Sequence, residues 1–326
     1  MRKFGLLPVA LIAAALGNIA GAAAQSYPSR PITVVVPFPA GGGSDVIARI
    51  VTERMRTSLG QPVIIENATG ASGSIGVGRV ARAAPDGYTL ISGHWGTHVV
   101  NGATLDLPYD LRSAFDPVAW MASGQQAIIA RKSMPADDLR GLIAWLKDHP
   151  DQGLMGTSGI GSVGHIHGVN FQKVTGTRFR FVPYRGIAPT MQDLVAGQID
   201  MMITSTTDVI PQARAGTIKA LAVTTERRVA AAPEIPTVDE AGLPGFYTQM
   251  WHALWVPAGT PKDVIARLNA AVVEALADTA VRKRLAGIDQ DIPPRENQTP
   301  EALGAHHKAE IEKWWPIIKA AGMKPE

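Results

Sequence analysis

The chain has 326 residues, 31 Lys and Arg against 28 Asp and Glu for a formal net charge of +3, and no cysteine. Mixed charge without a basic block gives no electrostatic case for nucleic acid, and the missing thiols exclude a cysteine nucleophile, CxxC redox chemistry and Cys-ligated zinc. A chain this long buries a core without disulfides, and its length suggests two domains rather than one.

Arg2 and Lys3 precede an apolar run from Phe4 to Leu16, and Ala22-Ala23-Ala24 supplies the small residues after which a signal peptidase cuts. Residues 1–24 are therefore expected to be a cleaved signal peptide, since the run is too short and alanine-rich for an anchor. No later stretch of the sequence is long and apolar enough to span a bilayer, so a soluble exported protein is expected.

Residues 27–37 read as a strand that ends in Pro37-Phe38-Pro39-Ala40-Gly41-Gly42-Gly43-Ser44-Asp45, and Val46 to Leu59 reads as a helix leaving that loop. Ser44 or Asp45 is the expected N-cap. A strand, a glycine loop and a helix start place unpaired N–H groups and the positive helix end around one point, where an anion fits. Pro62 to Glu66 is a second strand, so the opening is a parallel βαβ unit. A second glycine-rich passage, Thr69 to Gly76, runs into a helix through Ala84. Tyr88 to Ile91 is a third strand, followed by the polar loop Ser92-Gly93-His94-Trp95-Gly96-Thr97-His98.

Val118–Met121 and Gln126–Arg131 read as short apolar runs with a glycine break, and Ala136–His149 as an amphipathic helix. The opening theme then returns: strand 154–156, loop Thr157-Ser158-Gly159-Ile160-Gly161-Ser162-Val163-Gly164, helix 165–174, strand 178–184. A helix at 190–196 and strands at 199–203, 218–223 and 251–256 follow, with closing helices at 261–278 and 300–321. Two open parallel sheets, each with a Gly/Ser/Thr loop at a strand's carboxyl end, describe a two-lobed binding cleft.

Residues 159–164 spell GxGxxG, but no acidic residue occurs between His165 and Gln192 to hold a ribose, so the loop reads as a second anion cradle. His94 and His98 could ligate a metal only on a shared helix, and Trp95 stands where a zincin needs glutamate. His149, His306 and His307 read as exposed helix-end residues. The chain has no Gly-x-Ser-x-Gly elbow.

Several stretches resemble one family in order along the chain. They are Val36 to Arg49, Glu66-Asn67, Pro85 to Leu90, Val182-Pro183-Tyr184-Arg185-Gly186, Leu221 to Thr224, Pro236 to Gly242 and Pro257 to Pro261. The family is the Bug-type, TctC-like receptors of tripartite tricarboxylate transporters. The resemblance implies a periplasmic binding protein of α/β, type II-like fold, with the ligand cleft between two lobes that close on a small carboxylate. Lobe 1 is expected over 25–125 and 250–326, and lobe 2 over 126–249. It also implies no catalytic residue, cofactor or metal, a monomer, and membrane permease subunits as partners.

Family loops that grip the carboxylate, partly through water, map onto Phe38, Pro39, Ala40, Gly41, Gly42 and Asp45, and onto Thr157, Ser158, Gly161 and Ser162, with His165 beside them. Tyr184 and Arg185 match a second-lobe contact segment. Ser92, His94, Trp95, Thr97 and His98 offer further donors and an aromatic face. Where many members carry an aspartate, Thr204 or Ser205 stands here and Asp208 falls later, which leans against an amino-acid ligand. A di- or tricarboxylic or aromatic acid is the expected class. The alternatives are a sensor for a signalling partner, and an exported serine hydrolase using Ser158 or Ser162 with His165.

Overall fold

The computed structural model describes residues 27–322 apart from Arg185, so the signal-peptide reading and Arg185 lie outside the described residues. Strands β1 (Ile32–Val36), β2 (Val63–Asn67) and β3 (Thr89–His94) pair in parallel, β1 in the middle. The helices between them are α1 (Gly43–Leu59) and α2 (Ser74–Ala81), and a wide, π-helical turn at 96–100 leads into the single-turn α3 (Asn101–Thr104). Next come β4 (Phe115–Arg131), α4 (Leu139–Asp148), β5 (Leu154–Thr157), α5 (Val163–Thr175), β6 (Arg180–Pro183), α6 (Ile187–Val195), β7 (Met201–Ser205), α7 (Thr206–Arg214) and β8 (Ile218–Val223). The chain closes with β9 (Gln249–Pro257), α8 (Lys262–Ala277), α9 (Thr279–Gly287), the short β10 (Gln290–Asp291) and α10 (Pro300–Ala320).

Two sheets result. The first runs β2-β1-β3-β9-β4 with β10 on β4's far side; in the second, β4 lies between β8 and β7, and β5 and β6 follow. Each is covered on both faces, the first by the clusters around Met55 and Trp251, the second by those around Phe171 and Ile129. The result is a two-lobed α/β molecule. Among the described residues no helix is long and apolar enough to cross a membrane.

The two runs expected at 118–121 and 126–131 are one strand. Phe115–Gln125 pairs with β9, and from Gln126 the same strand pairs with β7 and β8. Gly124 does not break it: the Gln290 side chain lies where a Cβ there would stand. Because β4 and β9 run antiparallel, the sheets are mixed, not purely parallel as expected. At the crossing, buried Thr224 donates its hydroxyl to the Thr248 carbonyl at 2.8 Å and its amide to the Gln126 carbonyl at 2.9 Å, tying both connecting segments together. The expected loop 92–98 is half strand, since Ser92, Gly93 and His94 pair with Leu254, Ala253 and His252.

Helix α4 starts at a capping aspartate, Asp138 Oδ1 accepting from the Gly141 amide at 2.7 Å. Asp138→Ala is expected to cost about 1 kcal/mol, read as a lower chemical-denaturation midpoint with an unchanged slope. A shallower slope instead would mean that the change acts on the unfolded chain or on cooperativity.

Candidate functional site

The first loop is built around a buried carboxylate. Asp45 is 1% exposed, and its Oδ2 accepts from the Gly41 amide and from Arg49 Nε, both at 2.8 Å. Its Oδ1 accepts from Asn67 Nδ2 at 2.9 Å, and the same amide group donates to the Phe38 carbonyl at 2.9 Å. Burial pushes the Asp45 carboxyl up, but the bonds from Arg49, Gly41 and Asn67 outweigh it and hold it at about 2. Asp45 therefore fixes the loop from behind, both its oxygens engaged by the loop and its neighbours. It is not the N-cap, and neither is Ser44: that position is Gly42, with no side-chain cap. The first-turn amides of Gly43, Ser44 and Asp45 have no carbonyl before them to pair with, and Val46 is the first to find one, at Gly42. Residues 39–43, the loop's tip, are exposed.

Arg49 and Asn67 were not on the sequence list of site residues. The Glu66-Asn67 pair was visible as a family motif, but only the fold shows it reaching the loop at the end of β2.

At the end of β3, Phe38 stacks on His94 with centroids 4.7 Å apart, and His252 meets His94 edge-on at 5.6 Å. Burial pushes His94 down to about 4 and His252 to about 3, so both are neutral at physiological pH. The neighbouring candidates are enclosed in the fold. Trp95, Thr97 and His98 are wholly buried and Ser92 nearly so. Thr97 Oγ1 accepts from the His94 amide and donates to its carbonyl, both at 3.0 Å. His98 stacks on Trp255 at 4.9 Å, in the space a side chain at Gly93 would need. His94 ends a strand and His98 sits in the turn after it, so they share no helix face. Among the described residues no three His, Asp or Glu converge as for a metal.

The second loop links β5 to α5. Gly159 and Gly161 take φ of +132° and +74°, conformations that L side chains rarely adopt. The Gly161 amide donates to His165 Nδ1 at 3.0 Å, and Ser162 is the N-cap of α5, its Oγ accepting from the His165 amide at 3.4 Å. Thr157 is 2% exposed and accepts through its carbonyl from the Tyr184 amide at 2.9 Å. Ser158 is half-buried. The Tyr184 hydroxyl is already engaged, donating to Asp193 at 2.7 Å. Thr204 is buried and donates to Asp208 at 3.3 Å, while Ser205 caps α7 through the Thr207 amide. The aspartate that falls late in sequence thus reaches back toward the expected place.

A Ser162–His165 relay is not present. His165 receives the Gly161 N–H on Nδ1, which leaves its proton on Nε2, and the contact to Ser162 comes from the backbone. A general base needs its free lone pair on the hydroxyl.

The two loops approach the same segment. Phe38 of the first stacks on His94; the next residue, Trp95, lies 5.3 Å from His167 of α5, the helix that starts at the second loop. Ile166 belongs to the same apolar cluster as Trp95 and Trp251, with Val163 packed against it. His306 and His307, expected at an exposed helix end, sit inside α10, where His306 stacks on Trp120 at 4.3 Å and His307 Nε2 donates to the His98 carbonyl at 2.7 Å.

Comparison with known proteins adds three findings. Residues 47–323 match the family model described as the tripartite tricarboxylate transporter family receptor. A protein of Agrobacterium vitis, encoded in the TAR-I ttuE–ttuC′ intergenic region, is 38% identical over 92% of this chain and 87% of its own length. Two solved Rhodopseudomonas palustris structures are similar throughout. MatC with bound malate is 38% identical, with a TM-score of 0.73 over 90% of this chain and all of that one. A protein solved with adipate is 34% identical, with a TM-score of 0.74 over 92% of this chain and all of that one.

Proposed function

The chain belongs to the tripartite tricarboxylate transporter receptor family, and from that premise we propose a periplasmic solute receptor that binds a small organic carboxylate between its lobes and hands it to a membrane permease. The observation that carries the reading is the pair of glycine loops at the carboxyl ends of β1 and β5, each opening a helix, both tied by contacts to the end of β3. Lobe 1 comprises 25–125 and 250–326, and lobe 2 comprises 126–249, the chain passing between them along β4 and back into β9. The malate and adipate bound by the two relatives favour a dicarboxylate.

Recognition in this reading is by neutral donors. His94 and His252 carry no charge at neutral pH, and Arg49 is spent on Asp45 and Asn67. Micromolar affinity needs about 8 kcal/mol. Hydrogen bonds to a charged group contribute about 1.5–3 kcal/mol each, and a helix terminus about 0.3–1 kcal/mol. Three or four donors, some from Gly43 and Ser44 and some from the second loop, reach that figure before ordering costs. A ligand that touches both lobes only when they close favours the closed state by that difference.

The test is a thermal-shift screen of mono-, di- and tricarboxylic and aromatic acids. A saturable rise with dicarboxylates is expected, and silence across the whole panel would sink the reading. Ser162→Ala is expected to weaken binding less than about tenfold, the share of one neutral cap. Ester or amide turnover that disappears in that variant would instead establish a hydrolase.

A further inference from the structure

Helix α5 is divided between the two lobes. Phe171 faces the second sheet's core, whereas Ile166 is wholly buried in the first lobe's cluster, with Val163 packed against it. His167 completes that face. It is 0% exposed, with its ring 5.3 Å from Trp95 and 5.5 Å from Trp314, and neither ring nitrogen has a hydrogen-bond partner. Trp95 directly follows β3, and Trp314 belongs to α10, so both walls of the slot come from the lobe opposite to α5.

A phenyl ring would fill this slot without burying two unpaired nitrogens, each of which costs more in an apolar site than in water. The imidazole makes the contact weaker than its shape allows. When the slot opens, both nitrogens regain water, so the polar ring lowers the cost of separating the lobes there. Val163, the first helical residue after Ser162, lies on the same face, so whatever holds this face holds the second loop.

We propose that His167 is a positioning residue: seated between Trp95 and Trp314, it sets how the second loop is presented to the first, and its polar ring keeps that seat releasable. The inference rests on the proposed closure of the lobes over a ligand. His167 does not touch the ligand; it acts through α5.

The test uses the mature chain, with malate as the probe and tryptophan emission as the signal, since Trp95 and Trp314 form the slot. His167→Phe is expected to raise the melting temperature and to slow malate association and dissociation together by about tenfold, the effect of a difference near 1.4 kcal/mol. His167→Ala is expected to lower affinity by about tenfold, mainly through faster dissociation. Phe171→Leu, one turn further along α5 and packed in the second sheet's core and not in the slot, serves as the structural control and should lower the melting temperature without changing either rate. Rates in His167→Phe equal to the wild type's, or rates in Phe171→Leu that change as much as those of His167→Ala, would overturn the proposal. If His167→Ala fails to fold, the Phe and Leu variants alone decide it. If the wild type binds no carboxylate, the functional reading fails while the slot remains testable without ligand. Small-angle scattering should then show His167→Phe more compact than the wild type, and equal profiles would overturn the proposal.

Discussion

Gly161→Val is expected to lower carboxylate affinity by about 100-fold or more in a protein that still folds. Gly161 has φ +74° and no atom within 4 Å of where a Cβ would stand, so the substitution meets no packing conflict. Its effect comes from the backbone: a β-branched residue in that region is strained by about 1–3 kcal/mol. The loop relieves the strain by turning out of the left-handed region, which moves the Gly161 amide away from His165 Nδ1 and re-aims the start of α5. Losing two hydrogen bonds to a charged ligand, at about 1.5–3 kcal/mol each, gives the stated factor. Gly161→Ala should fall between wild type and valine. Calorimetry on variants with wild-type circular dichroism decides it, and wild-type affinity in folded Gly161→Val would remove the second loop from the site.

Gly41 and Gly42 of the first loop, read alike from the sequence, are not equivalent in the fold. Gly42 has φ −73° and ψ 163°, an extended conformation open to any residue, and the Pro39 carbonyl lies 3.3 Å from where its Cβ would stand. Gly41, at φ +81°, is the position that requires glycine.

Asp45→Asn is expected to destabilise the protein by about 2 kcal/mol and to weaken carboxylate binding as the loop loosens. The carboxylate satisfies Gly41, Arg49 and Asn67 at once. Asparagine keeps the shape but turns an N–H group toward donors, leaving at least one of them unpaired. The pH dependence supplies an independent check. Asp45 titrates at about 2 in the fold against 3.8 ordinarily. A depressed carboxyl contributes stability that is fully present above its unfolded value and lost as pH falls toward 2. That shift corresponds to about 2 kcal/mol. Stability curves of wild type and variant should therefore lie apart above about pH 4 and converge toward about pH 2. Parallel curves over that range would show that Asp45 does not carry the effect.

Much of the framework was legible along the chain. The strand, glycine loop and helix at 32–59, and their recurrence at 154–175, stand where periodicity and glycine placed them, because hydrophobic repeat and φ preference act between near neighbours. Helix α9 was missed: it is short and its exposed face is crowded with Arg282, Lys283 and Arg284, so its apolar period is weak.

Side-chain roles were far less legible. The polar residues Ser92, Thr97 and His98 looked available for a ligand, but each is enclosed, Ser92 because β3 continues three residues further and Thr97 and His98 in the turn that follows it. Asp45 looked like a cap or a contact and became the loop's internal support, once β2 brought Asn67 beside it.

By itself the sequence determined most of the strands and helices, the two glycine loops and the lack of thiol chemistry, all of them properties of residue type and short-range spacing. Tertiary structure alone decided that β4 serves both sheets, that Gly42 and not Ser44 or Asp45 caps α1, and that one face of α5 packs into the apolar cluster of Trp95 and Trp251. Those outcomes depend on which distant residues are brought together to share burial and hydrogen bonds, and no local pattern in the chain encodes that pairing.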